Sequence, residues 1–325
     1  MSLKNKLIKI ICCILCTLPF CAKNIILISK AMDNLNNENK SSFQRSFLTI
    51  DGKKIEIGTK GNGENTIVIL HAYGNIPGLD IEIPEGETEI PEECIQLAIT
   101  KSKNLSSDYI EDFEKLSDEL AKKYKVVVIH RPGYGKSDDT EGERTGAKIA
   151  EEIHEVIKQL NLKKPLLFAH SMGGLFALSY IQRYSDDIMG YVGLDASTPT
   201  MFLEEELCGE KFEKHDPKTT AWGSVAIVNE CNERLDNAKK LENFKFPSQL
   251  NVLLILSTFA SRYTEGQLLK GKYRSSLKQM NEKLISNPEK QEIIEMKGPH
   301  FLYHKNFKIL TEKIDHIVER FLLIV

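Results

Sequence analysis

The chain has 325 residues, 41% of them hydrophobic, with a formal net charge of −3 spread over both signs. That length buries a core of one large domain, and the lack of a basic face excludes nucleic acid as an expected partner. None of the seven cysteines has metal-ligand spacing with a histidine, which argues against a zinc framework.

Residues 1–31 place Lys4, Lys6 and Lys9 ahead of and inside the apolar stretch from Ile10 to Cys21, and apolar character resumes at Ile25. This is the charge-then-apolar order of an export signal, nearly long enough to cross a bilayer with its lysines inside. Two outcomes stay open. The segment is a signal-anchor that holds the remaining chain outside the cell membrane, or it is cleaved at Ala31 and the protein is secreted. Residues 32–46 are rich in Asn, Lys, Ser and Glu and read as a solvated linker.

From residue 47 to 325 the pattern is that of a single domain. A hairpin is expected over 47–50 and 54–57, turning at Asp51-Gly52. Short buried strands follow at 66–70, 124–130, 166–169, 191–194, 252–256 and 292–296, separated by stretches long enough for helices. Among these, Asp108 with Glu111 forms a capping pair ahead of Phe113, Leu116 and Leu120. Ile149, Ile153, Ile157 and Leu160 line a second helix, and Phe307, Leu310, Ile314 and Ile317 line the last. The pattern predicts an α/β fold with a mostly parallel central sheet flanked by helices, and ligands beyond the carboxyl ends of its strands. Two insertions interrupt it: an acidic, proline-bearing loop over about 75–107, and a helical cap over about 198–247. Cys208 and Cys231 share the second insertion, where an oxidising compartment would permit pairing, and Cys94 is left odd.

Ala169-His170-Ser171-Met172-Gly173-Gly174 follows one of the buried strands and precedes a helical stretch. That context puts a serine hydroxyl at the tip of a tight strand-to-helix turn. Three other landmarks stand in order around it: His71-Ala72-Tyr73-Gly74, the turn from Arg131 through Gly133, Gly135 and Ser137, and Gly298-Pro299-His300 after the last strand. Gly135-Lys136-Ser137 is not a phosphate loop, because His130 stands where the first glycine is required.

Together these landmarks resemble the α/β-hydrolase superfamily over essentially the whole chain after the linker. The resemblance implies a serine hydrolase that cleaves a carboxylic ester or related acyl bond of a small molecule, with no cofactor or metal. Ser171 is then the nucleophile and His300 its base, with His304 the rival. The backbone N–H groups of Met172 and of Tyr73, or its neighbour Ala72, form the oxyanion hole. In most of the superfamily the acid follows the seventh strand, but Ser257 to Ser261 contain no carboxylate. Asp195, after the sixth strand, is the candidate acid, and Glu265 is the fallback. A prolyl-type aminopeptidase and a non-catalytic binding protein on the same fold are the alternatives.

Overall fold

In the computed structural model, residues 42–74, 107–212, 214–216 and 224–322 are described, and a compact unit begins at Phe43. The N-terminal export segment, residues 32–41 of the linker, nearly all of the acidic insertion and Cys94 lie outside the described residues; the linker reading ends too late, because Gln44, Arg45 and Ser46 pair in the first strand. Among the described residues, no helix is long and apolar enough to cross a membrane.

The first two strands, β1 (Gln44–Ile50) and β2 (Lys53–Lys60), form the expected hairpin. Its two turn residues, Asp51 and Gly52, both have positive φ, 49° and 73°. That is the backbone hand which matches the twist of paired strands. The remaining strands are β3 (Thr66–Leu70), β4 (Lys125–Ile129), β5 (Leu166–His170), β6 (Gly190–Leu194), β7 (Asn251–Ser257) and β8 (Gln291–Met296). They form one sheet in the order β1-β2-β4-β3-β5-β6-β7-β8. Only the β1–β2 and β2–β4 pairs are antiparallel.

The helices are α1 (Tyr109–Asp112), α2 (Glu114–Leu120), α3 (Gly146–Gln159), α4 (Gly173–Tyr184), α5 (Pro199–Leu207), α6 (Val225–Asn232), α7 (Arg234–Lys240), α8 (Thr258–Leu269), α9 (Leu277–Glu282), α10 (Leu302–Lys305) and α11 (Phe307–Leu322). Alternation along the strands sorts the core into two layers. Val68, Leu70, Val127, Ile129, Leu167 and Ala169 join Ile149 and Ile153 of α3 and Phe176 of α4. Ile67, Ile69, Val126, Val128, Leu166 and Phe168 face the other way, with Phe113, Leu116 of α2 and Leu310, Ile314 of α11. Because both faces of the central strands are covered, they read as unbroken apolar runs. Each such side chain contributes about 1.5–3 kcal/mol by leaving water.

Several helices start at a side-chain cap. Asp108 Oδ1 accepts from the Glu111 N–H at 3.2 Å, and Thr145 Oγ1 accepts from Lys148 N–H at 3.2 Å ahead of α3. The cap insertion supplies α5, α6 and α7, while residues 213 and 217–223 within it lie outside the described residues. Its helices are tied to the sheet domain by polar side chains. Asp139 accepts from the Val225 and Ala226 N–H groups that open α6, at 2.9 and 2.8 Å. Asn237 Oδ1 accepts from the Gly146 N–H that opens α3, at 2.7 Å. Cys208 is exposed, Cys231 is buried, and both are free thiols, so the pairing left open by the sequence is not made.

Candidate active site

Strand β5 delivers Ser171 into a turn where its φ is +52°, a conformation that costs a non-glycine residue about 1–3 kcal/mol unless its surroundings hold it. Its surroundings do so. The Ser171 carbonyl accepts from the N–H groups of Gly174 and Ser197, both at 2.8 Å, and its N–H donates to Leu194 O at 3.3 Å. The turn also demands a glycine at 173, since a Cβ there would stand 2.4 Å from Leu70 O and 2.7 Å from His71 O. The Met172 N–H sits at the head of α4, where a helix leaves its first N–H groups unpaired and its dipole favours negative charge.

Asp195 follows β6 in a second strained position, φ +40°. Its side chain is 1% exposed. Oδ1 accepts from the Ser257 N–H at 2.6 Å, and Oδ2 lies 3.1 Å from His300 Nδ1. A carboxylate at this contact accepts, so Nδ1 donates, which in the neutral ring leaves Nε2 as the acceptor nitrogen. The His300 ring is 30% exposed, open to a cavity of ≈ 260 Å³ that Ser171 and Asp195 also line. The sequence-predicted serine, histidine and acid are thus brought to one cavity.

The loop holding His300 is fixed from several sides. Thr258 Oγ1 accepts from the Gly298 N–H at 3.2 Å, and the Phe259 N–H donates to Gly298 O at 3.2 Å. His170, adjacent to the serine and fully buried, donates from Nε2 to His300 O at 3.1 Å, and its ring lies 4.6 Å from the His300 ring. Burial, reinforced by the neighbouring His300, keeps the His170 pKa well below the usual histidine value, so this second imidazole stays uncharged beside the first. The rival His304 lies in α10, with Nε2 at 2.7 Å from Asp112 Oδ1. Glu265 is exposed on α8, and the carboxylate facing His300 is Asp195.

Tyr73 and Ala72 stand in the loop after β3. Every carbonyl of His71, Ala72, Tyr73 and Gly74 accepts from a side chain. Arg131 Nη1 and Nη2 donate to His71 O and Ala72 O, both at 3.0 Å. The Tyr109 hydroxyl lies 3.3 and 3.1 Å from Tyr73 O and Gly74 O. His71 also bonds Ala72 O through Nδ1, at 2.7 Å. Arg131 is clamped in turn by Glu230 of α6, Nε to Oε1 at 2.9 Å and Nη2 to Oε2 at 3.0 Å. Sequence reasoning missed Glu230 and His170. The first sits in an amphipathic piece with no motif, and the second occupies a variable position of a serine turn.

The cavity wall differs from the expected cap. Met201 of α5 belongs to the predicted insertion, but Phe259, Ala260 and Tyr263 come from α8 and Leu277 from α9, both after β7. The lining combines apolar side chains with the hydroxyls of Ser171, Ser197, Tyr263, Thr264 and Tyr273, beside the Asp195–His300 pair. Among the described residues, no cluster of three or more His, Cys, Asp or Glu side chains is placed to hold a metal.

Comparison with known proteins follows the same lines. The family model for the alpha/beta hydrolase fold matches residues 65–219, a span that includes the strands β3 to β6, the serine turn and Asp195. The matched span is just under half of the chain, and it shows the α/β-hydrolase fold. A thermophilic esterase from Thermogutta terrifontis superposes with TM-score 0.56 at 13% identity, covering 86% of this chain and 99% of the other. A putative epoxide hydrolase from Pseudomonas aeruginosa does so with TM-score 0.55 at 13% identity, covering 87% and 98%. At such identities, these likenesses speak for the α/β-hydrolase fold alone. In sequence, the chain is 23% identical over 165 residues to the uncharacterised protein YbdG of Bacillus subtilis, which is 50% of this chain and 41% of the other. It is 25% identical over 127 residues to Protein ABHD14A of Danio rerio, 35% of this chain and 47% of the other. The chain thus spans less than half the length of these relatives.

Proposed function

We propose that this α/β-hydrolase is a serine hydrolase acting on a carboxylic ester or related acyl bond of a small, uncharged molecule. The observation that carries the reading is the Asp195–His300 contact of 3.1 Å, in a cavity that Ser171 also lines. Serine is a weak nucleophile as an alcohol, and a neutral imidazole oriented by a buried carboxylate is suited to take its proton. The same contact speaks against a binding protein that has lost its catalytic relay.

In the proposed reaction Ser171 Oγ attacks the acyl carbon as its proton passes to His300 Nε2. The resulting oxyanion is held by the N–H groups of Met172 and of Tyr73 or Ala72, each such donor being worth about 3 kcal/mol. Collapse breaks the bond to the leaving alkoxide, which takes the proton from His300 Nε2. Water then repeats the sequence on the acyl-serine, releasing the acid and restoring Ser171. Apart from the Asp195–His300 pair the lining offers no charged partner to a substrate, which supports an uncharged acyl group. The N-terminal segment is proposed to carry this activity outside the cell membrane, as an anchor or as a cleaved signal.

The test is hydrolysis of p-nitrophenyl acetate and butyrate by the full chain, with fluorophosphonate labelling of the serine. Turnover and labelling are expected in the parent and absent in Ser171→Ala. A Ser171→Ala protein that still hydrolyses the esters overturns the reading.

A further inference from the structure

The loop after β3 has to present an N–H to the oxyanion, and its peptide planes are set by a buried ion pair that reaches in from the cap insertion. The peptide unit is planar and trans, so the C=O of one residue and the N–H of the next point in opposite directions. Arg131 Nη1 holds His71 O at 3.0 Å and thereby fixes the Ala72 N–H; Nη2 holds Ala72 O at 3.0 Å and fixes the Tyr73 N–H. One guanidinium fork therefore aims both candidate donors at once. Its positive charge also draws electron density towards the two carbonyl oxygens, which makes the paired N–H groups stronger donors.

The fork is itself held in place. Glu230 accepts from Nε at 2.9 Å and from Nη2 at 3.0 Å, a bidentate pair. The Tyr134 hydroxyl donates to Glu230 Oε2 at 2.9 Å and accepts from the Gly74 N–H at 3.1 Å. The guanidinium carbon lies 4.8 Å from the Tyr134 ring centroid and 4.9 Å from that of Phe176. Arg144 Nη2 approaches Glu230 Oε1 at 3.5 Å. Arg131 is 2% exposed and Glu230 0%, so water does not compete for these bonds. A buried pair is weak as a source of stability, because desolvation offsets its attraction. Its geometric consequence, two peptide planes held in the loop whose His71 carbonyl packs on Gly173 of the serine turn, is the stronger reason for it to be here.

We propose that Glu230 and Arg131 are positioning residues for oxyanion stabilisation, so that the cap insertion sets the oxyanion hole as well as covering the strand ends. The proposal rests on the serine-hydrolase reading above. It predicts a loss in kcat with little change in KM, because the ground-state carbonyl gains less from a preorganised donor than the developing oxyanion does.

The experiment uses the double variant Arg131→Met/Glu230→Leu, since replacing a buried ion pair with apolar groups of similar size is commonly neutral or stabilising. Arg131→Lys is the second variant, keeping the charge but losing the fork. Each is measured on p-nitrophenyl butyrate per active site titrated with fluorophosphonate, alongside affinity for a trifluoromethyl ketone, which forms an oxyanion on binding serine. The expected result is a fall of about 10–100-fold in kcat at nearly constant KM, with a matching loss of ketone affinity. If either folded variant keeps kcat and ketone affinity within about twofold of the parent, the proposal is overturned while the serine-hydrolase reading stands. If the parent neither turns over nor is labelled, that reading fails and the proposal falls with it.

Discussion

Strands β6 and β7 lie side by side, parallel and in register from Gly190–Asn251 to Leu194–Ile255, yet their carboxyl ends are built differently. After β6 the chain turns at Asp195 with φ +40°, and the turn points the carboxylate at His300. After β7 it runs straight into α8, where Ser257 Oγ accepts from the Ala260 N–H at 3.1 Å and Phe259, Ala260 and Tyr263 form cavity wall. The two ends are joined by the Ser257 N–H donated to Asp195 Oδ1. What a histidine needs is a carboxylate within reach, not a particular strand number. Placing it on β6 leaves the end of β7 available to shape the pocket.

The comparison breaks most visibly at Asp195. Asp195→Asn retains an oxygen for the Ser257 N–H but no longer holds His300 in the tautomer with its base nitrogen free. A fall in kcat of about 10⁴-fold is expected, measured per labelled serine with circular dichroism confirming the fold. A fall below tenfold removes Asp195 from the relay. At the end of β7 the expected effect is on choice of substrate. Phe259→Ala widens the cavity and shifts the ratio of kcat/KM for octanoyl over butyryl esters upward by about tenfold. An unchanged ratio means the acyl chain does not run along α8.

Legibility in the sequence follows the same division. All eight strands and the serine turn were readable, because doubly covered strands are apolar runs and the turn needs small residues at fixed positions. Asp195 was readable only through the emptiness of the next strand end and the order of the landmarks. The wall made by α8 and α9 was not, since Phe259, Tyr263 and Leu277 are ordinary apolar residues of short helices and nothing in their spacing says which cavity they face. Glu230 was hidden for a related reason: a buried carboxylate paired with an arginine 99 positions away has no local signature.

A control on neither strand end separates stability from chemistry. Glu56, in strand β2 of the hairpin, is wholly buried. Burial alone would raise its pKa, but hydrogen bonds from His130, the Lys136 N–H and Arg45 outweigh it and hold the carboxyl at about 2, against 4.5 for a free glutamate. With the folded value below the unfolded one, Glu56 contributes stability that is fully present above pH 4.5 and lost as pH falls towards 2. Glu56→Gln is expected to lower the urea midpoint at pH 7 and to flatten its dependence on pH across that window. Turnover per labelled serine at pH 7 stays nearly constant, the reverse of the Asp195→Asn pattern. A variant as acid-sensitive as the parent assigns the acid limb to other carboxylates.

The smallest expected effect is at Glu265, and it is the one that sharpens the contrast between the strand ends. Glu265 is the only carboxylate on α8, and it is exposed, whereas Asp195 is buried on His300. For Glu265 to serve as the acid, its helix would have to unwind and abandon the cavity wall that Phe259 and Tyr263 form. It would also have to displace Asp195 from a contact in which both carboxylate oxygens are already used. Glu265→Gln should therefore leave kcat and KM within about twofold of the parent, as surface substitutions away from a site usually do. The more informative arm is the same change in the Asp195→Asn background. If the residual activity of that variant drops further when Glu265 is removed, the second carboxylate substitutes for the first, and the two strand ends are less distinct than their geometry indicates. If it does not change, the residual rate belongs to Ser171 and the oxyanion donors alone, and the acid of this site is confined to the end of β6.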